Sequence, residues 1–299
     1  MPSQLDAPRR RYDDALPIDL HTHSDASDGT EPAAEVMRQA ARAGLGTVAL
    51  TDHDTVSGWG PAAAAARELG ITLIPGVEFS AQLGPASVHV LGYLIDPAHA
   101  ELEAEMAQTR VERLERAERM VARIAADYPL SWDDVLSHAE PGATVGRPHI
   151  ADALVTKGIV PDRSAAFESI LHWQGGYYRP HIAPPPKRAV ELIRAAGGVP
   201  VLAHPATRGR RAMSTDAIGE LVEAGLMGLE IGHRENDEPG RATLRHHARV
   251  HDLIVTGSSD YHGAGKPNRL GEHTTDPEQL DRIISAATGS APVYPEERG

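Results

Sequence analysis

Short apolar runs alternate with segments of helical period over the first third of the chain. Residues 16–20, 47–50, 71–77 and 88–94 read as buried strands. Residues 31–43 and 61–69 read as helices, closed by Gly44 and Gly70. This strand–helix rhythm predicts a parallel or mostly parallel sheet. It stops near residue 100 and resumes near 184. A helix opens at 184–186 and ends at Gly197–Gly198. Strands follow at 199–203, 228–231 and 253–257, with helices at 215–224, 241–251 and 277–287. About seven strands, most followed by helices, close most naturally as a (β/α)₇ or (β/α)₈ barrel.

Between 100 and 178 no strand pattern occurs. Residues 102–126 read as one long helix, with Leu102, Met106, Leu114, Ala117, Val121 and Ile124 on one face. Shorter helices are expected at 132–138, 150–157 and 164–172. The chain therefore divides into an N-terminal extension (1–15), a barrel (16–99 and 184–299) and a helical insertion (100–183) placed to cap a substrate. The long helix also carries Arg110, Arg113, Arg116, Arg119 and Arg123. Glu112–Arg116 and Glu115–Arg119 are spaced four apart, so this stripe reads as a solvated face rather than a nucleic-acid track.

Composition narrows the chemistry. The 299 residues include no cysteine, which removes disulfides, thiolate metal sites and cysteine nucleophiles. Any metal must be held by His, Asp and Glu, a donor set suited to Mn, Fe or Zn. A net charge of −13 argues against coating long double-stranded nucleic acid. It leaves room for a small anionic substrate at a site where metals invert the local field. Arg9–Arg11 are followed by too short an apolar segment for a signal peptide, and no 18-residue apolar stretch exists. A cytoplasmic protein with no membrane association is expected.

The candidate chemistry lies where strands end. His21 and His23 follow the first strand, and residues two apart on extended chain share a side. Asp28 comes after a short polar loop, His53 after the second strand and Glu78 at the end of the third. His89 lies in the fourth strand, His204 ends the next, and Asp260 and His262 follow the last. Strand ends converge on one rim of an α/β barrel, where active sites form. A lone histidine there is usually structural. Nine ligand-type residues at successive strand ends would each need a buried partner, and a metal cluster satisfies them together.

The segments D-L-H-T-H-S with S-D-G, T-D-H-D, P-G-V-E-F-S, A-H-P and S-D-Y-H-G resemble the PHP (polymerase and histidinol phosphatase) family over roughly 16–96 and 185–275. The resemblance implies a distorted (β/α)₇ barrel with two or three divalent ions, Mn foremost, Fe or Zn otherwise. By motif, it implies His21, His23, Glu78 and Asp260 around one ion. Glu78 would bridge to a second, held also by His89 and His204, and Asp28, His53 and His262 would hold a third. Glu78 and Asp260 are thus the candidate catalytic carboxylates. Asp19, Asp52 and Asp54 are expected to orient imidazoles from behind. The implied reaction is phosphoester hydrolysis, with a hydroxide bridging the ions attacking phosphorus.

Substrate class is suggested by Gly146-Arg147-Pro148-His149-Ile150-Ala151. Proline suits a first helical turn, and Arg147 and His149 would stand at a helix N-terminus, where anions are favoured. A capped surface turn fits these residues about as well. The motif resembles a branch of the family that hydrolyses nucleoside 3′,5′-bisphosphates or trims 5′-phosphorylated RNA. Lys157, Tyr178 and Arg179 are further candidates for substrate contact, although surface or packing roles suit each. His233, in E-I-G-H-R-E-N, is a candidate substrate contact and equally a core histidine. A histidinol-phosphate or other small-molecule phosphatase is the alternative enzyme, and a non-catalytic metal-binding accessory module the alternative from another class.

Overall fold

In the computed structural model the described residues are 11–84, 86–180, 182–206 and 214–296. The extension expected over 1–15 lies outside them up to residue 10. Seven strands form one sheet in chain order: β1 (Ile18–Asp19), β2 (Thr47–Leu50), β3 (Thr72–Leu83), β4 (Ala86–Tyr93), β5 (Val199–Leu202), β6 (Gly228–Gly232) and β7 (Ile254–Gly257). Past the first and last strands, Thr22 bridges Tyr261, and the His23 N–H donates to the Tyr261 carbonyl at 2.8 Å. The sheet thus nearly closes into a seven-stranded barrel.

The sheet is mostly parallel, as the alternation predicts, but β3–β4 and β4–β5 are antiparallel. Only residues 84 and 85 separate β3 from β4, too few for the crossover that a parallel pair needs. Pairing with β4 also carries β3 on to Leu83 instead of stopping at 77. Glu78 therefore stands inside a strand and not at its end.

The first two outer helices, α1 (Ala33–Arg42) and α2 (Trp59–Leu69), pack on the parallel part of the sheet through Val36, Met37, Ala40, Ala62 and Ala66. The segment after β4 is helical: α3 (Ala100–Ile124), α4 (Trp132–Leu136), α5 (Arg147–Thr156) and α6 (Arg163–Glu168). Their starts are capped as the side chains allow. Ser131 accepts from Asp134 N ahead of α4, and Asp162 accepts from Ala165 N ahead of α6. Met120, Ile124, Val135, Ile150, Leu154 and Leu171 belong to a core of their own there, drawn entirely from 117–171. The barrel pattern then returns with α7 (Pro186–Ala195), α8 (Thr215–Glu223), α9 (Glu238–Val250) and α10 (Pro277–Ala286). Among the described residues no helix is long and apolar enough to cross a membrane.

Two expectations for α3 fail. Leu114 is 40% exposed, off the inner face. Arg113 and Arg116 are buried, not solvated, because they fall on the same helical stripe as Met106, Thr109, Ala117 and Met120. The Met106–Arg113 part of that stripe faces the barrel, and Ala117 and Met120 enter the helical segment's own core. Arg113 Nε lies 3.1 Å from Asp54 Oδ2, and Arg116 Nε donates to the Arg179 carbonyl at 2.8 Å instead of pairing with Glu112. The Glu115–Arg119 pair does remain on the exposed side.

Candidate metal centre

The nine ligand-type residues meet at the rim. His21 and His23 lie on the extended chain after β1, and their Nε2 atoms approach to 3.0 Å. Glu78 Oε2 is 3.4 Å from His21 Nε2 and 3.1 Å from His23 Nε2, and Asp260 Oδ1 is 3.5 and 3.4 Å from the same two atoms. The other oxygen of Glu78 takes His89 Nδ1 at 2.9 Å and His204 Nε2 at 3.2 Å. Asp28 lies 3.1 Å from His262 Nε2 and 3.7 Å from His53 Nε2. His53 also reaches Glu78 Oε2 through Nδ1 at 3.2 Å, so the three groups form one continuous cluster.

Local backbone is bent to achieve this. Asp54, His204 and Asp260 have φ of 54°, 30° and 55°, a left-handed conformation that costs about 1–3 kcal/mol in a non-glycine residue and tends to mark functional sites. Gly29, the glycine of S-D-G, lets its loop fold back under His23: a Cβ there would lie 2.6 Å from the His23 carbonyl oxygen.

Burial alone would neutralise these carboxylates. Instead the imidazoles of His53, His89 and His21 hold Glu78 well below the usual range, and Lys266, His262 and His21 do the same for Asp260. His89 and His262 are themselves pushed down to about 4, chiefly by burial. His23 goes the other way, to about 9, because hydrogen bonds with Asp260 and Glu78 outweigh its burial.

The cluster fits divalent cations. His53 Nδ1, His89 Nδ1, His262 Nε2 and Asp28 Oδ1 are buried without a hydrogen-bond partner, although each lies 2.9–3.2 Å from an opposite-type atom. Such atoms are at hydrogen-bond distance but off hydrogen-bond angle, as donors converging on a cation are. Each would cost roughly 1–3 kcal/mol if left so. Nitrogen and carboxylate donors with no thiolate suit borderline and hard ions. Quartets and triads with mutually close donor atoms recur here: His23, Asp28, His53 and His262; His21, His23 and Glu78; His53, Glu78 and His89.

The supporting carboxylates differ from expectation. Asp19 accepts from the backbone of Ser259 at 3.0 Å and of Gly271 at 2.9 Å; Asp52 accepts from Ser24 and Ser27; Asp54 accepts from Ser80 and pairs with Arg113. Asp19 and Asp54 brace loops rather than rings, while Asp52 reaches a ring only through Ser27, whose Oγ lies 3.4 Å from His23 Nδ1. The carboxylate that does orient an imidazole is Glu230, which no sequence motif marks. Its Oε1 lies 3.0 Å from His21 Nδ1, and its Oε2 accepts from His204 N at 2.8 Å. Within the alternating strand pattern it is one more polar residue on a short apolar strand.

A cavity of about 200 Å³ opens beside the cluster. Asp28, His53, Glu78, His89, His204 and Asp260 line one wall. Arg113, Arg116, Arg147, Phe167 and Tyr178 line the cavity from the helical segment, Arg113 being paired with Asp54 and Ser80 of the barrel, and Glu235 and Lys266 come from the barrel loops. The Arg147 guanidinium lies 5.2 Å from the Phe167 ring centroid and 5.5 Å from that of Tyr178. Of the other expected substrate contacts, His149 is buried away from this cavity's lining, beside a second one shared with His138, Asp152 and Arg163, and its Nδ1 accepts from Gly146 N at 3.2 Å and caps α5. Lys157 pairs with Asp134 at 2.8 Å, outside the residues lining the cavity. Arg179 contributes its carbonyl to Arg116 and keeps an exposed side chain. His233 is fully buried, 3.5 Å from Asp260 Oδ2.

Known proteins are similar to this chain over most of its length. Residues 19–127 match the PHP domain. A 3′,5′-nucleoside bisphosphate phosphatase of Chromobacterium violaceum is 36% identical over 274 residues, 89% of this chain and 94% of the relative. A 5′-3′ exoribonuclease of Haemophilus influenzae is 32% identical over 82% of this chain and 89% of its own length. A Bifidobacterium adolescentis crystal structure, assigned as a metal-dependent phosphoesterase, superposes with a TM-score of 0.89 at 41% identity, covering 91% of this chain and 96% of that one. Similarity of this extent, over a rim that gathers buried histidines and carboxylates beside a cationic wall, makes the chain a member of the PHP family and a metal-dependent phosphoric ester hydrolase.

Proposed function

We propose that the chain hydrolyses one phosphate monoester of nucleoside 3′,5′-bisphosphates and also trims 5′-phosphorylated short RNA. The observation that carries this reading is the cavity's two-sided chemistry. The barrel's wall carries metal-type donors and the helical segment's wall carries Arg116 and Arg147, while Arg113 reaches across to Asp54 and Ser80. A substrate with a single phosphate has no use for the second wall. A 3′,5′-bisphosphate has one phosphate for each. So has the first nucleotide of a 5′-phosphorylated RNA, whose 3′ oxygen carries the linkage to be cut.

In this reading two or three ions, Mn preferred, would be held: one by His21, His23, Glu78 and Asp260, a second by Glu78, His89 and His204, and a third by Asp28, His53 and His262. Bound ions would neutralise phosphoryl charge and lower the pKa of an attacking water. The protein's own groups do the rest. Arg147 offers a planar fork to the non-reacting phosphate, held in place by Phe167 and Tyr178. Arg116 and Arg113 add charge where burial weakens solvent screening. Residues 100–183 act as a cap that carries this anion-reading wall. We place the activity in the cytoplasm.

The test is phosphate release in Mn-containing buffer from adenosine 3′,5′-bisphosphate, adenosine 5′-monophosphate and histidinol phosphate, with a 5′-phosphorylated RNA ladder beside them. The bisphosphate should give the highest kcat/KM of the three small esters, and the RNA should shorten from its 5′ end. Turnover of histidinol phosphate equal to that of the bisphosphate would overturn the assignment.

A further inference from the structure

Lys266 lies in the loop after β7, beyond the S-D-Y-H-G segment, and nothing in its sequence context marks it. Its Nζ is 2.8 Å from Asp260 Oδ2, and its side chain is 34% exposed where it lines the cavity. Asp260 divides its two oxygens. Oδ1 faces His21, His23 and His262 at 3.4–3.5 Å, while Oδ2 takes the lysine at 2.8 Å and has His233 Nε2 at 3.5 Å. The ammonium therefore sits beside the donor cluster without standing in a donor's place.

An ammonium has three N–H donors, and one meets Asp260. The cavity supplies the reason for the others. Its arginines, Arg113, Arg116 and Arg147, come from α3 and α5 of the helical segment, and Arg113 is already paired with Asp54. Two phosphates bound across this cavity would place one among the arginines and the other among the ligand-type residues. The latter phosphate is the reacting one, and Lys266 is the cation that the barrel brings to its side.

We infer that Lys266 is a catalytic residue that donates hydrogen bonds to the non-bridging oxygens of the reacting phosphoryl group. The inference rests on the substrate orientation proposed above. In the step itself, a water oxygen forms a bond to phosphorus, and the bond from phosphorus to the ester oxygen breaks. The bonding pair leaves with the ester oxygen, which takes up a proton, and the attacking water gives one up. Lys266 keeps its proton throughout and offsets the charge on the phosphoryl oxygens, which is greatest in the transition state.

Lys266→Met and Lys266→Arg would be compared with the wild type, all loaded with Mn. Readouts are Mn per chain, the thermal midpoint, the Kd of inorganic phosphate by calorimetry, and kcat/KM on adenosine 3′,5′-bisphosphate and p-nitrophenyl phosphate. Lys266→Met should retain Mn and the thermal midpoint, weaken phosphate binding about tenfold, and lower kcat/KM by roughly a hundredfold on both esters, as loss of a group aimed at transition-state charge does. Lys266→Arg should recover part of the phosphate binding. Three outcomes overturn the inference: a loss confined to the bisphosphate, a loss reversed by excess Mn, or unchanged phosphate binding. Should Lys266→Met fail to fold, Lys266→Gln carries the same measurements. If the wild type ignores the bisphosphate yet hydrolyses p-nitrophenyl phosphate, the substrate assignment fails, while the lysine's effect is still read on the generic ester.

Discussion

His21 Nδ1 lies 3.0 Å from Glu230 Oε1, and both side chains are fully buried. The contact holds Nδ1–H toward Glu230 and aims Nε2 at Glu78, His23 and Asp260; burial opposes the charged ring, but those carboxylates raise it well above its usual value, so a bound ion would displace the Nε2 proton. Glu230 is itself held at about 2: burial raises it, but the neighbouring His21 outweighs that. Its second oxygen anchors the backbone of His204, so one carboxylate sets two of the candidate ligands.

Glu230→Ala should therefore weaken metal affinity by about 10- to 100-fold without removing a donor, the usual effect of losing such an outer partner. Titrating Mn into metal-free protein would show a right-shifted activation curve that reaches near wild-type turnover at saturation. An unshifted curve would mean that His21 is oriented by something else.

How legible this site was depends on what each residue type reveals. His21, His23, His53, His89, His204 and His262 stood out because polar rings recurring at strand ends, among carboxylates, are costly to bury unless a shared cation satisfies them. Arg113 and Arg116 did not, because arginines four residues from glutamates also describe a solvated helix; only the docking of α3 against Asp54 and the Tyr178 segment shows which face is buried. The same limit hid the antiparallel β4, whose apolar pattern is blind to strand direction. Asp19, Asp52 and Asp54 had the right sequence neighbours for imidazole partners, but their nearest donors are backbone and serine groups. Pairings made across the barrel, such as His21 with Glu230, leave no local mark.

Glu78 faces five imidazoles: His89 and His204 through one oxygen, and His21, His23 and His53 through the other. Glu78→Gln keeps the shape, loses the charge and offers an amide nitrogen where a second carboxylate oxygen stood. Turnover should fall by about a hundredfold or more, with a folded protein by circular dichroism. Elemental analysis should show more than one divalent ion per chain in the wild type and fewer in the variant. Wild-type turnover in the variant would remove Glu78 from the centre.

Metal loading should release protons. In the metal-free protein His23 is raised to about 9, so at pH 7.5 it is protonated, yet a ligand needs the lone pair. A raised folded-state value also means that this contribution to metal-free stability is complete below about 6.5 and is lost as pH climbs through about 9. His89 and His262, depressed to about 4, act oppositely: their contribution is present above about 6.5 and is lost as pH falls through about 4. Mn affinity should thus increase from pH 7 toward 9. Calorimetry in buffers of different ionisation enthalpy should report release of about one proton or more per chain at pH 7.5. Binding enthalpies independent of the buffer would contradict the protonated state of His23.

Arg147 separates substrate reading from chemistry. Its guanidinium lines the cavity from the helical segment, braced by Phe167 and Tyr178. Binding energy from a phosphate held there can be used to position the reacting one, so its loss should lower kcat as well as raise KM. A charge-assisted hydrogen bond contributes roughly 1.5–3 kcal/mol, which corresponds to about 10- to 100-fold. Arg147→Ala should lower kcat/KM on adenosine 3′,5′-bisphosphate by that factor and on p-nitrophenyl phosphate, which has no second phosphate, by far less. His149→Ala provides the contrast. Its ring caps α5 away from that cavity's lining, so its loss should lower the thermal midpoint and affect both substrates alike. The deciding quantity is the ratio of the two substrates' losses in each variant. Equal losses with Arg147→Ala would assign the arginine to the fold, and no loss on either would return histidinol phosphate and other single-phosphate esters as substrates.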